Sequence, residues 1–524
     1  MENSQIHPVT SRRELPRAAR NVLSNWGTYI FSFVVNFFLA PFIVHHLGQT
    51  GYGVWTLMVS LTGYLGLLDM GVRSAVTRFV ARYHSAADHK EASRVTSTAL
   101  QIFVAAGVLA ALASMVMAFT VVRHFQIDPV YITRARTVLI LAGINVGLSL
   151  INGVFGGVIT SLQRFDLVNR VEILNLTLRS LAIFLALRSG GGVVALGVIQ
   201  LISSLGVGLV LARTAFRLYP ELELQLGKPD WQRLSLIFSF SIYAFIVHIS
   251  LQLIWYTDSV VIGAFLSVGM VAFFAIASNL LGYARTLLSS IAHTLTPMAS
   301  SLEAVGKEDE LRRLTMTASC YATVVMLPIA VTFMIRGKTF ISLWMGRDYA
   351  DLAGAVLQIL VFAWFFNAGN GVTGSILMGI SKHKALAPMA AGEGILNLIL
   401  SIALVKPLGI LGVAWGTTIP NLVQNTIVYP WYLCRTIGIP WRGYVMFSLF
   451  RPTVAMVPFA LLTYLIEHRW PATNLALFFA QVALVLPAGV AGFWFFVLQR
   501  AERAHYYKSW FLPFLRSRGW SSSD

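Results

Sequence analysis

Acidic side chains are scarce in this chain: 22 Asp and Glu are spread over 524 residues, and charged residues together make up only 12%. A soluble domain carries about 25% charged residues, so a water-facing globular protein of this length is excluded. Cysteine is nearly absent as well. Cys320 and Cys434 lie far apart in apolar sequence. Neither has metal-ligand spacing around it, which excludes a disulfide framework and a thiolate metal centre and leaves both as small core residues. Histidine offers no alternative, because His45 and His46 sit at the lip of a span while His248 and His293 stand alone in apolar segments. No metal and no cofactor are implied. Long outer loops are missing too, the longest outer connection being about residues 336–350. No residue is assigned a catalytic role, and the chain is not read as an enzyme.

What the sequence has in abundance is apolar residues, at 56% hydrophobic content and a mean hydropathy of +0.71. These values specify an all-α polytopic membrane protein. About fourteen spans are predicted, at residues 21–46, 52–80, 95–122, 132–162, 168–188, 193–216, 232–265, 270–300, 312–335, 351–380, 385–405, 409–434, 446–466 and 474–498. The net charge of +17 raises nucleic acid as a partner, but position decides otherwise. With both termini inside, 28 of the 39 Lys and Arg fall in inner segments and 9 in outer ones, among them Arg336, while Arg179 and Arg285 lie within spans. That bias predicts cytoplasmic termini and accounts for the charge without nucleic acid. Residues 1–20 form a basic tail with no apolar core, and the first span lacks a small-residue cleavage signature, so it is expected to be an uncleaved helix.

The rest of the chain is organised around Val44 to Arg82. A turn, Leu47-Gly48-Gln49-Thr50-Gly51-Tyr52-Gly53, leads into an apolar run from Trp55 to Leu68 and then Asp69-Met70-Gly71-Val72-Arg73-Ser74-Ala75-Val76-Thr77-Arg78. Read as one helix from Gly53, it is predicted to cross the hydrocarbon and emerge at Arg78 among cations. The Gly-Tyr-Gly-Val-Trp, Gly-Tyr-Leu-Gly-Leu-Leu-Asp-Met-Gly and Thr-Arg-Phe patterns closely resemble the start of polysaccharide-export (Wzx-like) flippases. Those belong to the multidrug/oligosaccharidyl-lipid/polysaccharide exporter superfamily. The resemblance implies a bacterial inner-membrane carrier of a lipid-linked oligosaccharide, with membrane lipids and other polysaccharide-assembly membrane proteins as partners. It also implies a cavity lined by the first, second, seventh and eighth spans, which Arg285, Asp69 and Arg73 would face.

A repeat lies beneath the span pattern. Asn152-Gly153-Val154 and Gly156 meet Asn370-Gly371-Val372 and Gly374 at an offset of 218, Arg164 meets Lys382 at the same offset, and Ala195 and Gly197 meet Ala414 and Gly416 at 219. An offset of six spans preserves membrane orientation, so two parallel-repeat six-helix bundles are expected, with a substrate site exposed alternately to the two faces. The expected layout is a basic tail at 1–20, bundles at 21–218 and 232–437 joined by a linker at 219–231, two further spans at 438–498 and a basic tail at 499–524.

Charges inside spans usually face a cavity or a partner. Arg285 suits a diphosphate, which a guanidinium fork pairs bidentately; snorkelling to the inner interface is the competing reading, and it is favoured for Arg73 and Arg78. Arg179 and Glu172, two turns apart on one face, form either a structural ion pair or a substrate contact. Asp258 resembles an acidic position common in these flippases, with roles in coupling and gating set against a simple bond to neighbouring hydroxyls. Glu393, one turn from Asn397, is likewise a functional acid or a buried clamp. Pro41, Pro328 and Pro420 are expected to interrupt helices.

Two other functions compete with a flippase. A cation-coupled multidrug exporter of the same superfamily typically places a carboxylate in the first span, and residues 21–46 contain none. A polytopic glycosyltransferase or polymerase needs a large outer loop bearing acids or His and Arg groups, and no such loop is present. The cation bias yields a prediction: cysteines introduced at Gln5 and Trp520 are expected to react only with a membrane-permeant reagent in intact cells, and labelling from the outer side would overturn the topology.

Overall fold

The computed structural model describes residues 14–224, 231–292, 294–367, 370–498 and Arg503. The described chain is all-α, without a strand. In order, the helices are α1 (Glu14–Gly63), α2 (Val72–Ser85), α3 (His89–Thr120), α4 (Pro129–Ser161), α5 (Phe165–Arg188), α6 (Val193–Leu218), α7 (Trp231–Phe265), α8 (Val268–Ala292), α9 (Leu295–Ala304) and α10 (Glu308–Met345). They continue as α11 (Arg347–Phe362), α12 (Trp364–Asn367), α13 (Asn370–Gly379), α14 (Leu386–Val423), α15 (Tyr429–Ile437), α16 (Trp441–Val445), α17 (Arg451–Ala455), α18 (Val457–Arg469) and α19 (Leu475–Gly492).

Ten stretches of the described residues are long and apolar enough to cross a membrane. Two of these are double, because Ser24–Ser85 spans 62 residues and His383–Ile437 spans 55. The first folds back at Gly48 (φ 67) and the second at Gly409 (φ 60), left-handed conformations that glycine reaches without penalty. The 24-residue α5, which carries Arg170, Glu172, Arg179 and Arg188, and the 35-residue α7 are also long enough to cross. These helices account for the fourteen spans expected.

Several boundaries differ from expectation. The second span is not one helix from Gly53 to Arg78: α1 ends at Gly63, a 3-10 turn runs over Tyr64–Asp69, and Met70 (φ 44) and Gly71 (φ 77) reset the chain before α2. Glycine at 63, 66 and 71 removes the side chains that would hold a regular helix through this stretch. The eighth span likewise yields α8 and α9, and the tenth yields α11, α12 and α13. Arg336, expected in an outer loop, lies inside α10 and is 1% exposed. The helix runs on because buried partners satisfy the guanidinium. Pro41, Pro328 and Pro420 all fall inside helices.

By packing, the chain divides into Met1–Ala272 and Phe273–Asp524. Packing groups α7 with the first six spans, since it lies on α1 and α2, whereas the repeat groups it with the second half. In the first unit, α2, α3, α4 and α6 enclose a core that includes Val72, Phe79, Phe103, Val154, Val158 and Leu211. Close approach of α3 to α4 depends on Gly107 and Gly147, where a Cβ on either would sit within about 3 Å of the other's backbone. Just after α6 the Tyr219 hydroxyl lies 2.8 Å from His89 Nδ1 at the start of α3. Burial, followed by the charges of Glu221 and Asp88, raises the Tyr219 pKa, so the hydroxyl keeps its proton.

The repeat is written into the turns of the two halves. Ala87 (φ 56) matches Gly306 (φ 68), Gln163 (φ 57) matches Ser381 (φ 58), and Gly190 (φ 85) matches Gly409 (φ 60), at offsets of 219, 218 and 219. Their closing bonds repeat as well: Arg164 N–H donates to Ile159 O as Lys382 N–H does to Leu377 O, and Asp88 N–H to Tyr83 O as Lys307 N–H does to Leu302 O. These bonds give helix C-termini the same left-handed closure in both halves, as expected of parallel-repeat bundles.

In the second unit, α18 and α19 are held to α10 by a closed polar network. Arg336 Nε donates to Glu467 Oε2 at 2.7 Å and its Nη2 to Gln481 Oε1 at 2.6 Å, and the guanidinium lies 4.4 Å from the centroid of the Phe478 ring. Thr339 Oγ1 donates to Glu467 Oε1, and Gln481 Nε2 donates to Trp470 O at 2.8 Å. Removing one member of a buried pair leaves an uncompensated charge, at a cost of about 3–5 kcal/mol. Arg336→Ala is expected to lower the unfolding midpoint of the purified protein sharply, and the double variant Arg336→Met/Glu467→Leu to recover most of the loss. Equal loss in both, or none in the single variant, would show that the pair does not fix this packing.

Candidate functional site

The break in the second span sets the first cluster. Gly63 leaves no room for a side chain, because a Cβ there would lie 2.3 Å from the Tyr256 ring of α7. The Tyr64 and Thr257 hydroxyls are 2.9 Å apart, and Asp258, 3% exposed, follows directly on α7. Asp258 thus sits next to the hydroxyl pair that joins the broken segment to α7. At the far end of the break, Asp69 closes the 3-10 turn and pairs with Arg73 at 3.5 Å. The Arg73 side chain is half exposed and donates from Nη2 to Ser149 O on α4 at 3.3 Å, passing over Gly153, where a Cβ would meet its Nε at 2.6 Å. Asp69 and Arg73 are therefore brought together, and the guanidinium is fixed on α4 rather than simply extended along its own helix. Arg78, further along α2, is exposed.

Arg179 and Glu172 do not close an ion pair among the described residues. Arg179 Nη1 instead donates to Gln200 Oε1 on α6 at 3.0 Å, and Glu172 is exposed. The helical rise separates the two positions by about 10 Å, and Gln200 lies closer to the guanidinium.

The second cluster belongs to the other unit. Arg285 on α8, half-buried, and Glu393 on α14, 9% exposed, lie within electrostatic reach of each other. Asn421 Nδ2 donates to Glu393 Oε1 at 2.9 Å. After α14 the chain widens into a π-helical turn over Gln424–Val428, a form common at functional sites. Tyr429 opens α15 directly after this turn, and Asn425 Nδ2 donates to Asn421 O at 2.8 Å. Asn397, one turn from Glu393, donates to Thr417 Oγ1 at 3.0 Å. Three buried atoms of this region, Asn397 Oδ1, Gln424 Nε2 and Thr426 Oγ1, have no hydrogen-bond partner among the described residues.

Sequence reasoning does not single out Asn421, Gln424 and Tyr429, although a run of amides in an apolar span is a signal of this kind. Nothing in the sequence points to Gly63 facing Tyr256, a relation of two distant segments. The histidines are satisfied or exposed: His45 Nδ1 and His46 Nδ1 bond Pro41 O and Phe42 O, His248 is exposed, and His293 lies outside the described residues. Cys320 and Cys434 are both free and buried.

Broken membrane helices, internal charges and a six-span parallel repeat define a polytopic transporter. Residues 18–303 match the family model described as "Polysaccharide biosynthesis protein". The chain belongs to that family. A Shigella flexneri protein described as "Putative O-antigen transporter" is 20% identical over 406 residues, covering 76% of this chain and 93% of its own. Among solved structures, the lipid II flippase MurJ in an inward closed conformation matches with a TM-score of 0.71 at 13% identity, over 94% of this chain and 99% of that one. An inward-facing multidrug resistance MATE family transporter of the MOP superfamily matches with a TM-score of 0.69 at 16% identity, over 80% and 99%. The fold is that of the multidrug/oligosaccharidyl-lipid/polysaccharide exporter superfamily.

Gly63 supplies a test of the broken span. Gly63→Ala is expected to displace Tyr256, break the Tyr64–Thr257 contact and cost about 1–3 kcal/mol of stability. Tyr256→Ala in the same chain is expected to restore part of it. A neutral Gly63→Ala in a thermal-unfolding series would contradict the close approach.

Proposed function

We propose that the protein is a flippase that carries a polyprenyl-diphosphate-linked oligosaccharide from the inner to the outer leaflet of the bacterial inner membrane, for polysaccharide or O-antigen assembly. Both termini are cytoplasmic in this reading. Residues 21–218 and 232–437 act as the two repeated bundles and expose one substrate site alternately to the two faces. Residues 438–498 add the final spans.

The observation that carries the proposal is Arg285, a guanidinium within an apolar span, in a chain of the polysaccharide biosynthesis protein family. The lipid tail of such a cargo can stay in the bilayer, and its sugar is variable, so the diphosphate is the part every cargo shares. A guanidinium fork replaces the water that the diphosphate loses, through charge-assisted paired bonds. Asp69 with Arg73 supplies a second cation held in place by an acid. Arg179, bonded to Gln200, serves as a lesser candidate for the polar part of the cargo. Asp258, beside the Tyr64–Thr257 contact, and Glu393 are the acids assigned to gating and coupling, with Glu172 on the exposed face of α5 as a peripheral member.

A multidrug exporter shares the fold, but the first span, residues 21–46, holds no carboxylate to draw a cation. In a deletion strain complemented for surface polysaccharide, Arg285→Ala is expected to reduce export at least about tenfold at normal protein level. Arg285→Lys is expected to rescue only partly, because the fork is lost. Full export by Arg285→Ala would overturn the assignment.

A further inference from the structure

We infer that one face of α1, carrying Tyr29, Ser32 and Asn36, reads the uncharged sugar of the cargo. This rests on the reading of the protein as a carrier of a lipid-linked saccharide and adds to it where the saccharide is recognised. The three residues fall at i, i+3 and i+7, so a regular helix stacks them on one side, and Asn25 lies one turn earlier on the same side. Asn36 precedes His46, at the lip of the span, by about 15 Å along the axis, which puts it near the middle of a hydrocarbon core about 30 Å thick. On the adjoining face, Ile30, Phe33, Val34 and Phe38 are exposed apolar side chains suited to lipid. The first span thus carries an apolar face and a polar face side by side.

The polar face has bonding capacity to spare. Thr28 Oγ1 turns back to Ser24 O at 2.9 Å, the way a hydroxyl settles in hydrocarbon. The Ser32 hydroxyl makes no such bond and has no partner among the described residues. Asn36 Nδ2 donates one N–H to Ser32 O at 2.8 Å. An amide offers two N–H donors and an acceptor oxygen, so one donor and Oδ1 of Asn36 are left over among the described residues. Ser32 and Asn36 are half-buried and Tyr29 is half exposed, so these groups are reachable rather than sealed in a core. Unused donors and acceptors are costly against lipid, so the face borders a polar path.

The helix is held in the rotation that keeps this face open. At its inner end Asn169 Nδ2 of α5 donates to Ser24 Oγ at 3.0 Å and to Asn25 Oδ1 at 2.5 Å. Further along, Phe42 stacks on Phe184 of α5 with ring centroids 4.8 Å apart, and Leu39 and Ile43 pack with it against Ile183, Leu187 and Leu196. No Lys, Arg, Asp or Glu lies within residues 21–46. A face without cations does not serve the diphosphate, and a mixture of donors and acceptors suits a neutral group that also does both. Sugar hydroxyls are such groups, and the Tyr29 ring adds an apolar surface with a polar tip on which the C–H face of a sugar can lie.

The test compares two probes on the full-length protein in nanodiscs: farnesyl-diphosphate-linked N-acetylglucosamine, and farnesyl diphosphate capped by a methyl ester. Both carry the same charge and the same tail, so the ratio of their affinities isolates the sugar. The unaltered chain is expected to prefer the sugar-bearing probe about tenfold, the worth of one or two well-placed hydrogen bonds. The double variant Ser32→Ala/Asn36→Leu is expected to bring the ratio close to one, and Asn36→Gln, which keeps the amide, to retain part of the preference. Neither side chain bonds another helix among the described residues, so the unfolding midpoint of the double variant is expected to match that of the unaltered chain. A preference that persists in the double variant, or a ratio of one in the unaltered chain, would overturn the assignment and leave the face as a border to water. If the unaltered chain binds neither probe, the carrier reading fails and the sugar assignment fails with it.

Discussion

Hydrocarbon offers a bare peptide group no partner, and this single constraint governs where the chain departs from regular helix. Two departures among the described residues come with partners of their own. At the break in the second span, Met70 N–H turns back to Leu67 O, and Arg73 N–H reaches the Asp69 carboxylate at 3.5 Å. Near the π-helical turn of the last repeated span, Thr418 Oγ1 donates to Ile359 O and Asn425 Nδ2 to Asn421 O. Left-handed residues close the turns that recur in both halves. An irregular backbone is thus tolerated where side chains can serve it, and those side chains bring polar chemistry into the membrane interior.

The two charged clusters arise from that coupling. Asp69 and Arg73 flank the broken second span, and Glu393 sits beside the amides that precede the π-helical turn. Each places a cation and an acid in one neighbourhood, so neither span carries a lone charge. The Arg336 network is of a different kind. Its members join α10, α18, α19 and the Trp470 carbonyl that follows α18, which suits a joint that fixes helix register and not one that exchanges partners.

Much of the fold was legible because hydropathy and cation placement report directly on the membrane. The fourteen spans and the six-span repeat could be read from apolar runs and from matches such as Arg164 with Lys382. Helix interiors were harder. Gly63, Gly66 and Gly71 were visible, yet nothing local says whether glycines permit a break or allow close packing, and Gly63 does both because Tyr256 lies against it. Arg336 was misplaced for a related reason: an Arg near the end of an apolar run reads as the edge of the membrane unless a distant partner is known, and Glu467 lies 131 residues away. Of the candidate acids, Glu393 was found by its position in a span, whereas Asn421, which donates to it, could be joined to it only in three dimensions. Glu172 and Arg179 show the converse, since a shared helical face suggested a pair that Gln200 replaces.

Whether the cargo is a lipid-linked saccharide held by its diphosphate is tested most directly by reconstitution. Proteoliposomes loaded with a fluorescent polyprenyl-diphosphate saccharide report translocation when an added glycosidase trims only the sugars in the outer leaflet, and the same vesicles can be assayed for uptake of a cationic dye. The protein is expected to make the inner-leaflet saccharide accessible far faster than empty vesicles do, and to leave the dye where it is. Movement of the dye with no gain in saccharide accessibility would contradict the flippase reading and assign the fold to drug export.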